Sequence, residues 1–311
     1  MAISESELDQ RIYSDFKQLK SLQSRARKLS FLPKQHSNSV LAGRHSSRVR
    51  GRGLSFEELR DYRVGDDIRS IDWRVTARTG KPHVRVYAEE KDRSALLLVD
   101  QRVNMFFGSK LNMKSVTASE AAAICAYRIF EQGDRVGGVI FNDTEIKAFK
   151  PSKKPQALEQ FMHSVSKFNL ALNCDLPKPT TAMTLNEPLA AATKLVSHDQ
   201  MIIIISDFDH VDLATEQYLA QMAEHNDVIL CLVSDDIHHQ LPTDLILSVS
   251  DGEQQMMLDT SHKDVHQRMQ TTFTERTKKI KDWQLSIGVT VIELSASEDT
   301  LSQFSSAFAV G

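Results

Sequence analysis

The sequence has little cysteine, no long hydrophobic run, no strong net charge and no internal repeat. Each absence removes a class of protein. Cys125, Cys174 and Cys231 are the only cysteines among 311 residues. An odd number without paired ligand spacing supports neither a disulfide framework nor a zinc site. Cys125 and Cys231 lie inside apolar patterns and read as buried free thiols, which suits a reducing compartment. No apolar run approaches the roughly 20 residues that a membrane helix needs. The first residues, MAISESELDQ, carry no apolar signal-peptide core, so a cytoplasmic location is expected. A formal charge of −3 gives no general attraction to nucleic acid or membranes. A hydrophobic fraction of 41% in a chain of this length is enough to bury a substantial core.

What the sequence does contain is two uninterrupted apolar runs that end on carboxylates. Residues 94–99 lead to Asp100, and residues 201–205 lead through Ser206 to Asp207 and Asp209. A strand without polar alternation is buried on both faces, as a central parallel strand is. In an open α/β sheet, ligands sit beyond the carboxyl ends of the strands, where the strand order reverses. Two such strands, each delivering an Asp to that edge, make a candidate site.

The rest of the chain alternates helix and strand. Residues 5–30 carry Ile12, Phe16, Leu19 and Leu22 at helical spacing, and read as a helix packed on the body of the protein. Residues 82–90 alternate like a half-exposed strand, with Val84, Val86 and Ala88 on one face. A broad apolar helix over 115–132 ends at Gly133. Strand 135–141 then turns at Asn142-Asp143 into 145–149, so one edge strand is expected to be antiparallel. Helices follow over 155–168, 184–196 and 213–225, with a strand over 227–233. A hairpin excursion spans 245–260, turning at Asp251-Gly252. A long helix over 265–287 and a strand over 289–294 come last. The pattern predicts an α/β fold with a doubly wound, mainly parallel sheet. The expected division is 1–90, an N-terminal helix plus an Arg-rich segment, and 91–311, the sheet domain.

The Arg-rich segment is the one charge anomaly. Residues 44–85 hold eleven Lys and Arg against six acids, +5 locally, which leaves −8 for the remainder. Ten of those cations are Arg, the residue suited to bidentate pairing with carboxylates or phosphates. The acids interleave with the arginines, which favours an internal network over a nucleic-acid surface. On that reading Arg60, Arg69 and Arg78 pair with Asp66 and Asp72, while Tyr62 and Trp73 pack.

The same segment carries a motif. GRGLSFEELRDYRVGDDIRSIDWRVTAR places Gly51, Gly53, Phe56, Arg60, Tyr62, Gly65, Asp66, Arg69, Ile71, Asp72, Trp73, Ala77 and Arg78 at fixed spacing. It closely resembles the signature of the domain of unknown function 58 family, and the later order of elements fits as well. The resemblance implies a von Willebrand factor A-like domain with a metal-ion-dependent adhesion site. Such a site uses Asp-x-Ser-x-Ser after the first strand, a Thr in a second loop and an Asp in a third. Carried across, Asp100 matches the first Asp and Asp207 the third-loop Asp. Thr184, with Thr181 as fallback, matches the Thr. The two serine positions hold Arg102 and Asn104. Arg has no acceptor and brings a positive charge, while Asn104 still offers an amide oxygen. Mg²⁺ wants about six oxygens, so the expectation is no cofactor, or weakly bound Mg²⁺.

The resemblance also implies a partner, a MoxR-type AAA+ ATPase or its client protein. The expected function is a non-enzymatic protein-interaction module, binding through Asp100, Arg102, Asn104, Thr184 and Asp207. Two alternatives come from other classes. One is a metal-dependent phosphohydrolase-like enzyme using Asp100, weakened because Arg102 stands where a second Asp is needed. The other is nucleic-acid binding through the arginines of 44–52. No P-loop or His-Glu-x-x-His motif is present, and His238, His239, His262 and His266 read as surface histidines.

Overall fold

The computed structural model describes residues 9–27, 54–89, 93–173, 183–236, 246–250, 255–259 and 263–309. The chain divides into two compact units, one of residues 34–92 and one of residues 1–33 with 93–311. Helix α1 (Phe16–Ala26) therefore groups with the sheet and not with the Arg-rich segment. It is shorter than its apolar pattern, because the Asp15 side chain caps it by accepting from the Gln18 N–H. Leu19, Leu22 and Ala26 are buried, as expected for a helix packed on the body.

The smaller unit is a hairpin with a structured crossing. β1 (Leu54–Asp61) pairs antiparallel with β2 (His83–Glu89), from Leu54–Glu89 to Asp61–His83. Alternation reveals β2 in the sequence, but the consecutive charges of β1 hide it. Between the strands lie a 3-10 turn (Ile68–Ser70) and helix α2 (Trp73–Thr79). Asp side chains start both. Asp67 accepts from the Arg69 N–H, and Asp72 accepts from the N–H groups of Arg74 and Val75. Gly80, at φ 73°, ends α2 in the left-handed region.

Three expectations for this segment need correction. Arg60 does pair with Asp66, bidentately at 2.7 and 2.8 Å. Asp72, however, is taken by Arg85 at 2.7 Å, because the Ile71–Val84 bridge lays Arg85 beside it. Arg69 and Arg78 make no ion pair among the described residues. Trp73 does not pack; it stands 65% exposed at the start of α2, while Tyr62 is half-buried.

The larger unit is a six-stranded sheet. In chain order its elements are β3 (Ser94–Asp100), α3 (Lys114–Glu131), β4 (Arg135–Phe141), β5 (Ile146–Ser152), α4 (Pro155–Leu170) and α5 (Asn186–Thr193). Then come β6 (Met201–Ser206), α6 (Leu213–Ala223), β7 (Asp227–Ser234), the hairpin β8 (Ile246–Ser250) and β9 (Gln255–Asp259), α7 (Lys263–Ser286), β10 (Thr290–Ser295) and α8 (Thr300–Ala309). The strand order is β10-β7-β6-β3-β4-β5, and only the edge strand β5 is antiparallel to its neighbour. The doubly wound α/β architecture expected from the alternation is present. The closing helix α8 was not legible from the sequence.

Period two divides the core. Ala95, Leu97 and Val99 of β3 face the layer of α1, α3, α4 and α8. Leu96 and Leu98 face the layer of α5, α6 and α7, which includes Trp283. Each such side chain contributes roughly 1.5–3 kcal/mol by leaving water. Cys125 and Cys231 are buried free thiols, as expected, and burial pushes the Cys231 thiol up to about 12.

Glu120 of α3 is a partly buried carboxylate that accepts from Gln18 Nε2 of α1 at 3.0 Å and from Thr300 Oγ1 of α8 at 2.6 Å. Burial raises its pKa. At Gly138 of β4 an added Cβ would lie 2.4 Å from the Leu97 carbonyl oxygen and 2.7 Å from the Phe161 ring. Gly138→Ala should therefore cost about 1–3 kcal/mol by overpacking. Urea unfolding checks this, and a variant of wild-type stability would show that the strand relaxes freely.

Candidate functional site

The site is made by the reversal of strand order. From β3 the chain moves to β4 and β5 on one side, then returns through α4 and α5 to β6 on the other. β3 and β6 are parallel neighbours, with Val99 opposite Ile205. Their carboxyl ends therefore bring Asp100 and Ser206-Asp207 together. The Ser206 hydroxyl donates to Asp100 Oδ2 at 2.6 Å, which ties the two strand ends directly. The sequence-based juxtaposition of the two acids is realised.

Each acid has a buried cation of its own. The Arg102 Nη2 and Nε atoms donate to Asp100 at 2.7 and 3.0 Å, and the Arg102 backbone N–H donates as well. Arg102 is 4% exposed and Asp100 is fully buried. Burial alone would lower the Arg102 pKa, but Asp100, Asp207 and Asp143 overcome it and raise it, so the guanidinium stays charged. Its remaining nitrogen, Nη1, donates to the Met183 carbonyl at 3.1 Å.

Lys114, the first residue of α3, serves the second acid. Its Nζ lies 2.6 Å from Asp207 Oδ2, and the Asn104 amide donates to both Asp207 oxygens at 2.9 and 3.1 Å. Burial acts to raise the Asp207 pKa, yet Lys114, Arg102 and Arg276 hold it below the usual carboxylate range. Asp207 therefore contributes stability above its unfolded value of about 3.9, lost only as pH falls through the lower folded value. Each of the two switch-point carboxylates, Asp100 and Asp207, is thus matched by a buried cation.

The loop behind Asp207 is bent unusually. Phe208 and His210 have φ of 51° and 57°, a region that non-glycine residues rarely occupy. The Phe208 side chain is fully buried in the layer of α5, α6 and α7, which holds the bend. Arg276 of α7 braces the loop, reaching the Asp207 carbonyl and Asp209 Oδ1, each at 3.4 Å. Left-handed conformations in non-glycine residues cost of order 1–3 kcal/mol and cluster at functional loops.

Of the residues singled out in the sequence, Asp100, Arg102, Asn104 and Asp207 meet at this edge. Thr184 does not join them. Its hydroxyl donates to Glu187 and accepts from the Asn186 N–H, and among the described residues of the loop it is the Met183 carbonyl that accepts a hydrogen bond from the cluster. Thr181, His238, His239 and His262 lie outside the described residues, as do residues 44–52. Two participants were missed. Asp143 accepts from the Val103 N–H at 2.7 Å and is pushed up by burial. Lys114 is the other, and one signal could have found it: a cation at a helix N-terminus opposes the helix dipole and needs an anion nearby. Among the described residues no group of three or more His, Cys, Asp or Glu is arranged to hold a metal ion.

Fold and site together define a doubly wound α/β domain whose switch-point carboxylates are held by protein cations. The chain belongs to the DUF58 family: the model described as "Protein of unknown function DUF58" matches residues 58–281. Curated relatives include the uncharacterized proteins Rv1480 of Mycobacterium tuberculosis and Mb1516 of Mycobacterium bovis. Each is 37% identical over 116 residues, and the match spans 37% of this chain and 37% of the relative. Among solved structures, BatB from Bacteroides thetaiotaomicron aligns at TM-score 0.39 and 12% identity over 70% of this chain and 100% of that one. The SpRpn10 VWA domain aligns at 0.34 and 11% over 69% and 94%. Both alignments are distant, and the fold assignment rests on the strand order. No helix among the described residues is long and apolar enough to cross a membrane.

Proposed function

We propose that this chain is a non-enzymatic protein-interaction module that binds through the carboxyl edge of its sheet. Its metal-ion-dependent adhesion site is degenerate, and the module acts as adaptor or cofactor of a MoxR-type AAA+ ATPase. One observation carries the reading. Both switch-point carboxylates are buried and already neutralised, by Arg102 and by Lys114. A catalytic carboxylate needs a face toward substrate, and these have none. An ion needs open oxygen ligands, and here nitrogen donors occupy them. Around the cluster the same edge offers Leu213, 70% exposed, with Phe107 and Leu111 partly exposed. Apolar side chains around a rigid polar centre suit protein contact.

Two measurements test this. Calorimetric titration with Mg²⁺ or Mn²⁺ is expected to give no binding tighter than millimolar; micromolar binding lost in Asp100→Ala would overturn the metal-free part. Tagged chain mixed with a purified MoxR-type ATPase should form a complex that Leu213→Glu weakens about tenfold. No complex with a folded bait would remove the adaptor reading.

A further inference from the structure

We infer that the hairpin unit carries a second, independent binding surface, built to take an acidic protein segment containing an apolar anchor. Its carboxylates are engaged within the unit itself. Asp66 accepts from Arg60 twice and from the Arg63 N–H. Asp67 starts the 3-10 turn, and Asp72 starts α2 and holds Arg85. Three acids are therefore spent inside the segment, fixing the loop from 62 to 72. What that fixed loop leaves outside is the opposite chemistry. Val64 is fully exposed, Ile68 is 62% exposed and Trp73 is 65% exposed. Arg69, Arg74 and Arg78 are exposed too, and none forms an ion pair among the described residues. Arg74 and Arg78 are four apart on α2 and so share a face.

Leaving a tryptophan and two aliphatics in water costs the fold their burial. Holding them on a capped, ion-paired loop removes the ordering cost of binding. Trp and Arg are the side chains that dominate binding hot spots. Arginines without partners call for carboxylates by charge complementarity. The aliphatic pair Val64 and Ile68 decides the class of partner, because it offers nothing to a phosphate chain or to base stacking. The occupant is an acidic peptide stretch, not a nucleic acid.

The test uses the full chain, with the photo-crosslinker p-benzoylphenylalanine at position 73, expressed in its own cells. Crosslinked peptides are sequenced by mass spectrometry. The expected products are protein segments of net negative charge that contain an apolar residue. Arg74→Glu with Arg78→Glu should lower the yield about tenfold, while circular dichroism stays unchanged. Leu213→Glu should leave the yield unchanged, which separates this surface from the sheet edge. Crosslinks to nucleic acid, to neutral or basic segments, or none at all would overturn the proposal.

Discussion

Lys114→Met is expected to cost about 3–5 kcal/mol of folding stability, because it removes the direct ion-pair partner of the buried Asp207 carboxylate and leaves only the Asn104 amide and the Asp209 N–H donating to it. Met keeps most of the length and the packing, so the loss reports charge and not volume. In a domain of this size such a loss lowers Tm by on the order of 10 °C. The pH dependence should reverse as well. In the wild type the Asp207 pKa is depressed, so its contribution is present at neutral pH and fades only in acid. Without the ammonium, burial pushes the carboxyl the other way, and the variant regains part of its deficit as pH falls and Asp207 is protonated. Denaturant unfolding at pH 7 and pH 5 reads both effects. A loss under about 1 kcal/mol at pH 7 would mean that Lys114 is a bystander.

The complementary result is a gain. Arg102→Ser, Asn104→Ser and Lys114→Ser together remove both cations and put hydroxyls near Asp100 and Asp207. The edge then carries two uncompensated acids and restores the Asp-x-Ser-x-Ser pattern that the family resemblance implies. The triple variant should be much less stable in chelator, and Mg²⁺ or Mn²⁺ should restore it. At a hundredfold excess over its dissociation constant, an ion that binds only the folded state adds about 2.7 kcal/mol. The wild type should show no such response. A variant that stays unresponsive to either ion would argue that the edge was never shaped as an ion cage.

Much of this was legible in the residues. β3 and β6 are apolar runs too long and too uniform to be half-exposed, and each stops at an acid. Parallel pairing then forces Asp100 and Asp207 together without any knowledge of side chains. Arg102 and Asn104 follow because they sit within four residues of Asp100. Lys114 sits 14 positions beyond Asp100 and 93 before Asp207, so no local pattern links them. Inside the Arg-rich segment the near pair Arg60–Asp66 was legible, while the partner of Asp72 was missed for the same reason. Arg85 reaches Asp72 because the Ile71–Val84 bridge lays the crossing segment along β2, a non-local contact that no sequence pattern announces. Exposure of Trp73 inverts the usual rule that tryptophan is buried. Such inversions concentrate at sites of function, where local preference gives way.

The Glu120 clasp has a mechanical meaning. The first and last described helices, α1 and α8, are fastened to one carboxylate on α3. A pull that draws α1 and α8 apart would load that fastening first. Unravelling under force would begin with those helices, and the sheet edge bearing Asp100 and Asp207 would be among the last parts to yield.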